Sequence, residues 1–277
     1  GSTYFRPNKS GSMEVTSKSD MWLYMIMTFP LYGALAAATW RFTTVEYGLI
    51  TPDTALVIYL VLALFYLYNV YKIFENNREI LEKPVADIHK YKFKQVAILN
   101  AAYFATFGSE IAVVMILTAF FKTTFNVSDT WAVIGGGSFM FMNLIARPWG
   151  GHLSDTIGRK KALIIAVFCM TIGYVTMSFI DSSWPFFVAL AITITTSFFV
   201  QAGCGAVFAM VPLIKRRLTG QIAGMTGAYG NTGSVLFLTI YTLTSAQTLF
   251  AVIAAFAVLV LIAFLFLDEP KGAMAEV

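Results

Sequence analysis

The sequence predicts an all-α fold, a polytopic bundle of membrane helices. Of its 277 residues 58% are hydrophobic, and the mean hydropathy is +0.72. Only 12% are charged, about half the fraction usual in a soluble domain. The apolar residues fall into eight runs long enough to cross a bilayer, which takes about 20 residues per helix. A water-soluble fold of this length would lack the polar surface to cover itself. The 20 glycines suit the same class, because helices in lipid associate by close packing.

Residues 1–20 are polar and rich in Ser, Lys and Gly, and begin Gly1-Ser2-Thr3. They lack the apolar core of a signal peptide and read as a polar tail, or as a loop of a longer chain. Two membrane helices follow within 21–74, as Met21–Trp40 and Ala55–Phe74. Residues 75–95 read as a basic loop, with Arg78, Lys83, Lys90, Lys92 and Lys94 around Pro84, a solvated linker against an anionic leaflet. Six further spans fill 96–267: Val96–Phe121, Thr130–Gly150, Ala162–Ile180, Pro185–Ile214, Gly220–Ser245 and Leu249–Leu267. Residues 268–277 form a tail. Cys169 and Cys204 lie inside apolar runs and read as small packing residues.

Orientation follows from the bases in the short loops. Lys72 and the five bases of 75–95, then Arg159, Lys160 and Lys161, then Lys215, Arg216 and Arg217, all fall in alternate loops. The intervening loops offer only Lys122. The basic loops and the C-terminal tail are therefore expected in the cytoplasm. The net charge of +4 is thus a membrane signal, with no nucleic acid as partner.

Between the fourth and fifth spans lies Gly150-Gly151-His152-Leu153-Ser154-Asp155-Thr156-Ile157-Gly158-Arg159-Lys160-Lys161. The paired glycines suit a helix that ends against a neighbour. Asp155 suits a helix cap or an ion pair with a base. The segment closely resembles the signature loop of the major facilitator superfamily, written G-x-L-(S/A)-D-(R/K)-x-G-R-(K/R), with Thr156 in place of the usual base. The resemblance implies two six-helix halves with substrate between them near the midplane. It makes Val96 onward the C-terminal half and the first two spans helices five and six. It implies a conformational latch at Gly151, Asp155, Gly158, Arg159 and Lys160.

The glycines of the seventh run, Gly220, Gly224 and Gly227, recur at helical spacing, extended by Gly230 and Gly233. Such a face allows backbone-to-backbone approach, and Asn231 is an amide at lipid depth. This run, ending Gly230-Asn231-Thr232-Gly233-Ser234, looks like the nitrate signature of the nitrate/nitrite porter family. Three further segments resemble that family in order: Tyr103-Phe104-Ala105-Thr106-Phe107-Gly108-Ser109-Glu110, Asn143-Leu144-Ile145-Ala146-Arg147-Pro148-Trp149-Gly150-Gly151, and Gln201-Ala202-Gly203-Cys204-Gly205-Ala206-Val207-Phe208-Ala209-Met210-Val211-Pro212-Leu213. The likeness is strongest with cyanobacterial-type permeases.

A guanidinium inside an apolar span is expensive and marks a substrate path. Arg147 presents a planar fork of N–H donors, the complement of a flat trigonal anion. The resemblance makes it one of two clamping arginines, the other belonging to helix two. It also implies that Tyr103 donates to the anion through its hydroxyl and that Phe107 packs on its flat face, with Asn231, Gly227 and Gly230 beside them. Counted at about 1.5 Å per residue from the cytoplasmic loops, Tyr103, Arg147 and Asn231 reach one layer. Glu110 follows Tyr103 and Phe107 at helical spacing. A carboxylate there must be paired or protonated, and its protonation would relieve repulsion of an anion.

The expectation is secondary active transport of nitrate, or nitrite, by proton symport with rocker-switch alternating access, in a bacterial plasma membrane. The partners are the anion, protons, lipid and the N-terminal helices of the same transporter. Nitrate/nitrite antiport, a gated anion channel and a non-transporting fragment are the competing readings. No enzyme, cofactor or metal is expected, since the two histidines, His89 and His152, stand in loops.

Overall fold

The computed structural model describes residues 12–44, 48–82 and 90–270, with the side chains of 79–81 left aside. Lys83, Pro84 and His89 of the basic loop lie outside them. Helix α1 (Lys18–Thr43) starts where the Ser17 hydroxyl accepts the Asp20 amide at 3.0 Å, satisfying one of the free N–H groups of a first turn. Helix α2 (Pro52–Glu82) opens on a proline, whose missing N–H costs nothing at the first helical position. It packs on α1, while most of its apolar surface faces outward. The helix runs through 75–82, eight residues assigned above to the loop. Lys72 and Glu75 pair at 2.6 Å, and Arg78 and Glu82 at 3.6 Å, spacings that favour helix over loop.

Residues 12–17 of the polar N-terminal segment pack against the bundle. Met13 and Val15 are buried. The Val15 amide donates to Asn77 Oδ1 at 2.7 Å, and Asn77 Nδ2 to the Met13 carbonyl at 3.2 Å. Asn76 Nδ2 also donates to the Ser12 carbonyl at 2.9 Å, and the Tyr91 hydroxyl to the Glu14 carbonyl at 2.5 Å, so the segment is fastened along α2 and the start of α3.

Helix α3 (Phe93–Phe125) forms the centre of the remaining bundle and is its most buried long helix. It touches α8 (Thr219–Tyr241) along most of its length, and also α7 (Phe186–Ile214) and α9 (Ala246–Ala263). Helix α6 (Arg159–Ser178) packs between α7 and α9. Aromatic rings fill the seams, with Phe104 against Phe237 and Phe256, and Phe250 against Phe120 and Tyr174.

The fourth expected span, Thr130–Gly150, is two helices, α4 (Asp129–Phe141) and α5 (Asn143–Ile157). The backbone at Met142 stays right-handed (φ −59°, ψ −20°), but the hydrogen-bond ladder lapses there. Pro148, one to two turns on, cannot donate to the preceding turn, and its ring crowds that turn's carbonyl. The Ser197 hydroxyl of α7 donates to the Phe139 carbonyl at 2.5 Å, an oxygen the interrupted ladder leaves available. Gly150 and Gly151 therefore do not end a helix; α5 continues to Ile157, and Gly158 makes the turn at φ +103°, a backbone region suited to glycine.

Six helices among the described residues are long and apolar enough to cross a membrane: Lys18–Thr43, Pro52–Arg78, Phe93–Phe125, Arg159–Ser178, Phe186–Ile214 and Ala246–Phe266. The broken α4–α5 and the glycine-rich α8 are outside that set. The glycine stripe also needs correcting. A Cβ at Gly220, Gly224 or Gly227 would meet nothing within 4 Å, so that face is open. The close approach is made on the adjoining flank, where Gly230 lies against Tyr103 and Phe107 of α3, with 2.7 Å left for a Cβ.

The basic segments gather at one end of the bundle. Lys92 pairs with Asp268 at 3.1 Å, Gln95 accepts the Asp268 amide at 2.8 Å, and Arg217 pairs with Glu14. The start of the C-terminal tail is thus bound back onto α3.

Candidate functional site

Helices α5 and α7 cross with almost no side chain between them. A Cβ at Gly150 would run into the Ala202 carbonyl, and one at Gly205 into the Arg147 carbonyl. This contact carries Arg147 into the middle of the bundle. Its Nη2 donates to Glu110 Oε2 at 2.7 Å and, more weakly, to Gln201 Oε1 at 3.4 Å. The Glu110 side chain is 5% exposed and the Arg147 side chain 33%, so the pair is closed on its carboxylate side and partly open on its guanidinium side. Asn143 Nδ2 donates to Glu110 Oε1 at 3.2 Å, and Cys204 Sγ approaches Oε2 at 3.6 Å.

The aromatic wall is built on α3. The rings of Tyr103 and Phe107 lie stacked, with centroids 5.0 Å apart and planes 6° from parallel. Phe208 of α7 meets Tyr103 edge-on at 4.8 Å. The Arg147 guanidinium stands 5.7 Å from the Phe107 ring centre, within range of a cation–π attraction. Gly230 of α8 leaves room for both α3 rings.

Arg147, Glu110, Phe107, Tyr103 and Gly230 thus come together from three helices, α5, α3 and α8. Gly227 and Asn231 sit beside them on the open face of α8, and Asn231 Nδ2 donates to the Gly227 carbonyl at 3.2 Å instead of reaching Arg147. The residues expected to form a latch lie at the basic end. Asp155 pairs with Arg159, and Arg159 Nη1 donates to Ser154 Oγ at 3.4 Å. Gly151 has nothing within 4 Å of where a Cβ would stand.

Sequence reasoning missed four participants. Asn143, Gln201 and Cys204 are polar groups within apolar runs, and that polarity was the available signal. Glu269 gave less. Its carboxylate accepts the Arg159 amide at 2.6 Å and the Lys160 amide at 2.8 Å, capping α6 with a negative charge where the helix dipole favours one.

A guanidinium held by a carboxylate from one side, with a stacked aromatic wall beside it, offers spare N–H donors to an anion. The family model described as Major Facilitator Superfamily matches residues 98–276, which spans every residue of this cluster. The chain belongs to the major facilitator superfamily. The segment that resembles the superfamily's signature loop spans the end of α5 and the start of α6, where Asp155 pairs with Arg159 and Glu269 caps α6 from the far end of the chain.

Among curated relatives, the chain is 42% identical over 280 residues to the nitrate/nitrite transporter NrtP of Nostoc punctiforme, covering 99% of this chain and 56% of that protein. It is 40% identical over 296 residues to the nitrate/nitrite transporter NrtP of a Picosynechococcus species, covering 100% and 55%. A match to the high-affinity nitrate transporter 2.3 of Oryza sativa is 34% identical over 172 residues, covering 54% of the chain and 32% of that protein. The chain spans about half the length of the cyanobacterial relatives it matches.

Proposed function

We propose that the protein works in secondary active transport of nitrate across a bacterial plasma membrane, by proton symport. Arg147 clamps the anion, Tyr103 donates to it, and Phe107 packs on its face. Gly227, Gly230 and Asn231 form the neighbouring wall. Support comes from the nitrate/nitrite transporters among its relatives and from one observation above all, the 2.7 Å contact between Arg147 and the buried Glu110.

That contact supplies the coupling. Ionised Glu110 neutralises the guanidinium and opposes an anion. A proton on Glu110 removes the negative charge and frees the full positive charge of Arg147, so proton and anion favour each other's binding. A site that takes up both together and releases both together is a symporter when exposed alternately to the two sides. The Asp155–Arg159–Glu269 cluster acts as the latch that closes one side in this rocker-switch cycle.

The test replaces the fork while keeping the charge. In the natural full-length protein, Arg147→Lys retains a cation but loses parallel donors. Expected is a loss of nitrate uptake of roughly a hundredfold, about the effect of losing a charged hydrogen bond or two, with unchanged membrane insertion. Nitrate uptake of unaltered affinity in Arg147→Lys would rule out the clamp.

A further inference from the structure

Two buried N–H donors beside the Arg147–Glu110 pair have no hydrogen-bond partner among the described residues: Arg147 Nε and Gln201 Nε2. Gln201 is fully buried in the middle of α7. The orientation of its amide is fixed by chemistry, because Arg147 Nη2 has only protons to offer and therefore faces the amide oxygen, at 3.4 Å. The NH2 group is left pointing away from that contact with nothing to bond. A buried donor without an acceptor is rare in folded proteins and calls for an explanation. Here two lie on touching residues, both donors, at a cation flanked by the Tyr103–Phe107 wall. An acceptor with several oxygens would satisfy both donors.

We propose that Gln201 is a further ligand of the transported anion, and the one that engages a third oxygen. This rests on the reading of Arg147 as the anion clamp. A planar guanidinium satisfies two oxygens of a flat oxyanion with parallel donors. The Gln201 amide approaches the same guanidinium from α7, a different helix from the α5 that carries Arg147. Its NH2 group meets an oxygen the fork leaves unfilled. The 3.4 Å contact to Arg147 is long for a hydrogen bond, and it is the contact that yields when the anion enters. Nitrate has three oxygens and fills all the donors. Nitrite has two and leaves the Gln201 amide without an oxygen to meet. Gln201 is therefore a specificity residue that separates a trigonal anion from a bent one, since a site built to hydrogen-bond a group discriminates against the analogue lacking it.

The test compares nitrate and nitrite uptake by the natural full-length protein with Gln201→Met, which keeps the length of the side chain and removes the donor. Gln201→His, which restores an N–H, serves as rescue, and the melting temperature of each purified variant is recorded. Expected is a rise of roughly tenfold in half-saturating nitrate for Gln201→Met, with nitrite changed less than about twofold, and partial recovery in Gln201→His. Equal effects on both anions, or a fall in melting temperature that accounts for the loss, would assign Gln201 to packing and overturn the inference. Unchanged nitrate affinity in Gln201→Met, with Arg147→Lys inactive, would overturn the inference and leave the clamp intact. If the unaltered protein takes up neither anion, the clamp reading fails and Gln201 falls with it.

Discussion

Glu110 and Arg147 lie 37 residues apart in the chain and 2.7 Å apart in space. Removing one partner of such a pair leaves an uncompensated charge at membrane depth, so the two side chains must be considered together. Glu110→Gln keeps the size and hydrogen-bonding capacity of the protonated acid but cannot release a proton. Nitrate exchange between the two faces of a vesicle should persist in Glu110→Gln. Accumulation against a gradient, driven by protons, should fall at least tenfold, and exchange should lose its dependence on pH. Undiminished proton-driven accumulation would make Glu110 a structural partner of Arg147. Helical spacing was enough to put Tyr103, Phe107 and Glu110 on one face of α3. It carried no information about the pairing with Arg147, because periodicity relates residues within a helix and not across two. Asn231, one residue beyond Gly230, donates its Nδ2 to the Gly227 carbonyl at 3.2 Å on the same helix.

Among the elements, the glycines sort by what stands opposite. At the crossing of α5 and α7 a Cβ on Gly205 has no space beside the Arg147 carbonyl, whereas at Gly227 it meets nothing within 4 Å. Gly205→Ala should therefore push the helices apart, destabilise the bundle by about 1–3 kcal/mol and displace Arg147. Gly227→Ala should leave thermal stability within about 0.5 kcal/mol of the parent, as expected for a change without a clash. Melting curves in lipid nanodiscs decide this, and equal stability of the two variants would refute the crossing. The existence of the glycine-spaced helix was legible from its sequence. Which of its faces met a neighbour was not, since small residues recur on both. The break at Met142 escaped notice because both flanking helices are apolar and together match one span in length.

For the whole molecule, hydropathy and loop charge carried most of the architecture. Six expected spans satisfy length and apolarity outright, and the basic segments meet at one end through Asp268, Glu269 and Glu14. That end is expected in the cytoplasm by the bias of Lys and Arg. A cysteine at Lys160 or Arg216 should react with an impermeant thiol reagent only when the cytoplasmic face is exposed. Labelling of Arg216→Cys from outside intact cells would invert the orientation. The extension of α2 and the return of the C-terminal segment were not legible, because both depend on single side-chain pairings at a surface the sequence describes only as polar.

The interruption at Met142 gives α5 the mechanics of a lever. Arg147 stands five residues from that pivot and Ile157 fifteen, or about 7.5 Å and 22 Å along the axis. A tilt that shifts Arg147 by about 1 Å swings the far tip by about 3 Å, by the ratio of the two arms. That tip adjoins the Asp155–Arg159 ion pair and the Glu269 cap on α6. Along α5 a shift of about a bond length at the guanidinium thus corresponds to one of about the breadth of a hydrogen bond at the tip, by the ratio of the two arms.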